Sequence, residues 1–186
     1  MPYFEWSYII PIWKRYYDEE EDSDESKEDI ILALQEIAVN LIVINPELAD
    51  KDDASLLFRY ICIDMNMNDY ISKLRAITSL KKLFSVPNAN IIKCLIEQNY
   101  IQIASDYLSA AFHYAIKDII DSIHYIAQYA ENFSLRDVIE KMASTEIFEI
   151  LPEIAESDDI VIAESAQALL NDETLTLFHS YLVSPS

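Results

Sequence analysis

Ser79, Ser122 and Ser165 stand at intervals of 43 residues, and the aliphatic side chains around them repeat with the same shift. Ile77, Ile120 and Ala163 coincide, as do Leu80, Ile123 and Ala166, and then Leu83, Ile126 and Leu169. One more shift toward the N-terminus gives Leu34 and Ile37 in "LALQEIAVNL". Apolar residues recur at steps of three or four in each segment, which is the helical period, so four equivalent helices are predicted. A recurrence of this length constrains the fold more than composition does. Such a unit cannot bury its apolar face alone and must stack on its neighbours.

Each of these helices is preceded by another: "SYIIPIWKRYY", "SLLFRYICID", "YIQIASDYLS" and "IFEILPEIAES". The polar breaks between the members of each pair are "DEEEDSDESKED", "MNMND", "AAFHYA" and "DD". Shorter helices fit "INPELADKD", "NANIIKCLIEQ" and "SLRDVIEKMAS", just ahead of the second, third and fourth pairs. The unit is therefore short helix, helix, helix. Its copies cover residues 1–44, 45–86, 87–130 and 131–172 of one repeat domain, with a tail at 173–186 and an acidic loop at 18–29. The chain has no glycine, so tight hairpins and glycine-built phosphate loops lose their usual means of construction, and Asn, Asp, Ser and Pro must join the helices.

The stretches "KCLIEQNYIQIASDYLSAAFHYAIKDIIDSIHYIA" and "EKMASTEIFEILPEIAESDDIVIAESAQALL" resemble armadillo repeats, including Pro152 in the second helix; Pro11 has the same relation to the first unit. The related HEAT repeat has a similar length and pattern. The resemblance implies an all-α, right-handed α-solenoid of about four repeats. The family often has Gly at the turn between first and second helices, where Asn99 and Ser144 stand in this chain; Asn tolerates the left-handed backbone that such a turn needs.

Net charge decides which partners suit such a scaffold. Thirty-three acidic against thirteen basic side chains give −20, which disfavours nucleic acid and anionic membranes, because binding to either depends on Lys and Arg. A protein or peptide partner is the expectation, and the net charge makes basic ones the easier partners. No apolar run approaches the roughly 18 residues that span a bilayer, and "MPYFEWSYIIPIWKRYY" lacks the features of a secretory signal. Cys62 and Cys94 sit inside apolar helical patterns and read as reduced thiols, so cytoplasm or nucleus is the expected location.

In armadillo proteins the third helices line a concave groove. On residues 71–84, a helical projection puts Leu74, Ile77, Leu80, Leu83 and Phe84 on one face and Arg75, Thr78 and Lys82 on the opposite strip. The resemblance implies that these three, with Asp121, Tyr125 and Glu164 from the later units, form a protein-binding inner wall. Leu32, Gln35 and Val39 are the matching positions in the first unit. Nuclear-import receptors of the importin alpha type carry Trp and Asn four residues apart in this groove. Thr78 and Lys82, Asp121 and Tyr125, and Glu164 and Ala168 hold those places here, so the import-receptor reading fails. Either a groove for another peptide or helix remains, or a solvated face.

The segment from Tyr70 to Lys93 holds Lys73, Arg75, Lys81, Lys82 and Lys93 without an Asp or Glu. The acidic run at 18–29 reads as a solvated loop, or as a screen for that basic helix, and Ser23 and Ser26 lie in an acidophilic-kinase context. At the N-terminus, Phe4, Trp6, Trp13 and Tyr16 crowd an end that a preceding repeat would cover. Such an end either packs locally or meets another molecule, which makes a self-assembling oligomer the alternative function. Enzyme readings find no support in motif: His113, His124 and His179 have no zinc-ligand spacing, and phosphate loop, HExxH and nucleophile elbow are missing, so neither catalysis nor a metal or cofactor is expected.

Overall fold

A computed structural model describes residues 6–18, 25–67, 69–86, 88–110, 115–132 and 136–172. Every regular element among them is helical. In order they are α1 (Trp6–Asp18), α2 (Glu25–Ile44), a 3₁₀ segment (Pro46–Asp50), α3 (Ala54–Asn66), α4 (Tyr70–Leu83), α5 (Ala89–Glu97), α6 (Tyr100–Ser109), α7 (Ile116–Asn132), α8 (Arg136–Ala143), α9 (Ile147–Ile154) and α10 (Ile160–Leu170). The chain divides into two compact units, Met1–Cys94 and Leu95–Ser186.

In the first unit α1 packs on α2, α2 on α4, and α3 on α4, with the 3₁₀ segment against α2 and α3. Ile9, Ile10, Trp13, Ala38, Ile42, Leu57, Ile61 and Leu83 fill the core between them. The acidic run is not one loop. Asp18 closes α1, and Glu25 to Asp29 begin α2; residues 19–24, and with them Ser23, lie outside the described residues. Asn88 and Asn90, at the start of α5, tie that helix to the 3₁₀ segment: Asn88 Nδ2 donates to Pro46 O at 3.0 Å and Asn90 Nδ2 to Asp50 Oδ1 at 2.6 Å.

The second unit repeats the pattern. There α6 packs on α7, α9 on α10, and α7 on α10, while α6 also meets α9 and α8 meets both α7 and α9. Ile119, Ile120, Ile123, Ile126, Leu151 and Leu169 are its buried aliphatics. Asn99, between α5 and α6, has φ 64 and ψ 27, the left-handed conformation that lets the chain turn without glycine. Lys141 of α8 donates to the carbonyl of Ile96 at 3.2 Å, an acceptor in the last turn of α5 that also takes the Asn99 amide at 3.0 Å. The 43-residue relation reaches the buried polar groups too: Ser79 and Ser122 are both buried, the first bonded to Gln35 and the second to Tyr100.

Candidate functional site

The basic helix α4 starts at Asp69, whose carboxylate accepts from the Ser72 amide at 2.7 Å; that hydrogen bond holds Asp69 below the usual carboxylate range. Lys81 and Lys82 lie in its last turn, where cations complement the helix dipole, and Ser85 Oγ donates to Lys82 O at 2.6 Å just beyond it. Ala76, Ile77, Ser79, Leu80 and Leu83 are buried against the neighbouring helices. The remaining face of α4 meets α2 along a groove of about 250 Å³. Leu32, Glu36 and Val39 line it from α2, and Ile71, Leu74, Arg75, Thr78, Ser79 and Lys82 line it from α4. Both sets are spaced three or four residues apart, so each comes from one helical face.

Arg75, Thr78 and Lys82 thus share one groove, but the structure gives them different tasks. Arg75 Nε donates to Asp64 Oδ2 of α3 at 2.9 Å, and its Nη2 to Ser72 Oγ at 3.3 Å. Thr78 is exposed and back-bonds to Leu74 O at 2.8 Å. Lys82 reaches across to α2, with Nζ 2.9 Å from Glu36 Oε1 and 3.1 Å from Asn40 Oδ1. Leu74 departs from the projection. It is 41% exposed on the groove rim beside Ile71, which is 65% exposed, and the buried residues of α4 begin only at Ala76. In α2, Leu32 and Val39 line the groove as expected, Val39 as a fully buried residue, whereas Gln35 is fully buried and is not among the lining residues. That helix is covered by α1, α4 and the 3₁₀ segment together, so its buried face is wider than a stripe.

Asp121, Tyr125 and Glu164 belong to the second unit, on the adjacent helices α7 and α10. Asp121 is exposed and paired with Lys117, and Glu164 is exposed. Tyr125 is half-buried and stacks on Tyr129 with ring centroids 5.8 Å apart and an interplanar angle of 26°. Burial, and then the proximity of Tyr129, push the Tyr125 phenol above its ordinary range, and burial does the same to Tyr129. Beside them His124 Nε2 lies 2.5 Å from Asp172 Oδ2, and Gln128 approaches both, which ties α7 to the residues that follow α10.

Of the two fates open to the aromatic N-terminal residues, the two indoles take local packing. Trp13 is completely buried and Trp6 is 9% exposed. The Trp13 ring meets Tyr60 of α3 edge to face, with centroids 4.7 Å apart and an angle of 89°. Since α1 packs on α2, the indoles become the unit's own core, and among the described side chains of α1 Tyr8 and Ile12 are the large apolar ones left exposed. Phe4, the side chain of Tyr16, His113 and His179 lie outside the described residues.

Glu36, Asn40, Ile71 and Asp64 were missed by projecting single helices. The first two stand four residues apart after Leu32, a spacing that shows a shared face but not which helix covers it. Chemically, the groove offers an aliphatic rim, a lysine with two oxygen ligands and a threonine hydroxyl. Its volume falls below the roughly 300–1,000 Å³ of drug-sized ligand pockets, and suits a few side chains of a longer segment. Among the described residues, no group of three His, Cys, Asp or Glu is placed to hold a metal ion, and no helix is long and apolar enough to cross a membrane. Comparison with models of protein families, with curated proteins and with solved structures gives no match for this chain.

Proposed function

We propose that the protein is a non-catalytic, protein-binding scaffold of armadillo-like repeats, working inside the cell, whose α2–α4 groove receives a segment of another protein. The groove carries the proposal: one helical face of α4 offers the exposed aliphatic residues Ile71 and Leu74 and paired cations side by side. The order of short element, helix and helix, and the packing of α2 on α4 and of α7 on α10, support the repeat reading. The acidic charge of −20 favours a protein over a phosphate backbone as partner.

A partner retained by the immobilised full-length chain is expected to be lost from Leu74→Asp and Ile71→Asp while helicity and melting temperature hold. Equal retention by the wild type and both variants contradicts the reading. Self-assembly is the second reading, and it rests on the exposure of Tyr8 and Ile12 rather than on the indoles. It requires a species larger than 21.5 kDa in light scattering that Tyr8→Asp disperses.

A further inference from the structure

We infer that the segment received by the α2–α4 groove is aliphatic and acidic, and that Glu36 occupies its carboxylate site in the unbound chain. This rests on the reading of the groove as a protein-binding site. In a chain with 33 acidic and 13 basic side chains, α4 carries Lys73, Arg75, Lys81 and Lys82 and no Asp or Glu. Two of these cations line the groove, and they differ in what they can give up. The Arg75 guanidinium is held by Asp64, whose side chain is 1% exposed. Lys82 and Glu36 are 35% and 59% exposed, so their pair is weak and an incoming carboxylate can replace Glu36 with little loss.

The contacts of Lys82 describe the site. Its ammonium already holds a carboxylate oxygen at 2.9 Å, and the Asn40 amide oxygen at 3.1 Å fixes its position. Glu36 is thus an internal stand-in for the partner's acid. Leu74 and Lys82 are two helical turns apart, about 12 Å along the axis. The partner therefore needs an aliphatic side chain and an Asp or Glu about four residues apart if extended, or about eight apart if helical. A basic segment meets Lys82 with like charge, and a second copy of this chain brings another −20.

The test is selection of a random peptide library on the immobilised full-length chain, keeping only peptides lost from both Leu74→Asp and Ile71→Asp. The retained peptides are expected to combine aliphatic residues with Asp or Glu. Glu36→Gln should bind them more tightly, by up to about fivefold, the worth of one exposed ion pair, and Lys82→Gln more weakly. Groove-dependent peptides that lack acidic residues, or an affinity that Glu36→Gln leaves unchanged or lowers, overturn this inference while leaving the groove as a binding site. If no peptide depends on Leu74 and Ile71, both the inference and the reading beneath it fail.

Discussion

Arg75 Nε donates to Asp64 Oδ2 at 2.9 Å, joining α4 to α3 through an ion pair whose side chains are 11% and 1% exposed. Removing one partner strands a buried charge, which costs about 3–5 kcal/mol, whereas replacing both with apolar groups of similar size is close to neutral. Arg75→Met should therefore lower stability by about that amount in urea denaturation, and Asp64→Leu combined with Arg75→Met should recover most of it. A single variant as stable as the wild type contradicts this role for Arg75.

A second cross-helix contact has the same form with neutral groups. Gln35 Nε2 donates to Ser79 Oγ at 3.1 Å between α2 and α4, with both residues buried. Ser79→Ala should cost about 1–3 kcal/mol by leaving the Gln35 amide buried and unmatched, while Gln35→Met with Ser79→Ala should cost less than the single change. A double-mutant cycle measures the difference, and strictly additive effects count against the contact.

These two pairs also mark how far the sequence could be read. The helices were legible because apolar residues recur at steps of three or four and the pattern repeats after 43 residues; Ser79 and Ser122 indeed occupy matching buried positions. Partner choice was not legible. A single-helix projection treats Arg75 as an outward strip residue, and only the packing of α3 on α4 brings Asp64 beneath it. Lys82 finds Glu36 and Asn40 at separations of 46 and 42 residues, which no local pattern encodes. The burial of Trp13 has the same origin, since Tyr60 comes from a different helix pair.

Alkaline titration should destabilise the fold. Burial pushes the Cys62 thiol from an ordinary value of 9.0 up to about 12, and the phenols of Tyr125 and Tyr129 are raised above 10.0. Each group holds its proton more tightly folded than unfolded. Its contribution is therefore complete below the unfolded value and is lost as pH rises toward the folded one. Denaturation midpoints should fall from about pH 9 upward, and Cys62 should resist thiol reagents at pH 8 until the chain is unfolded. Rapid labelling of Cys62 in the folded protein contradicts its burial.

Asn99 should be replaceable by glycine but not by a branched residue. At φ 64 a β-carbon costs about 1–2 kcal/mol, which Asn partly escapes and glycine avoids. Asn99→Gly should be neutral or slightly stabilising in thermal melts, and Asn99→Val should lose at least 1–2 kcal/mol. Equal stability of the two variants is inconsistent with a left-handed Asn99.

A photo-crosslinking amino acid placed at Thr78 inside the native cell, with Glu153, exposed on α9, as the control position, tests whether the α2–α4 groove holds another protein. A discrete crosslinked partner is expected from position 78 that disappears with Leu74→Asp and is not obtained from position 153. The same products from both positions, or a product at 78 that is indifferent to Leu74→Asp, would contradict it.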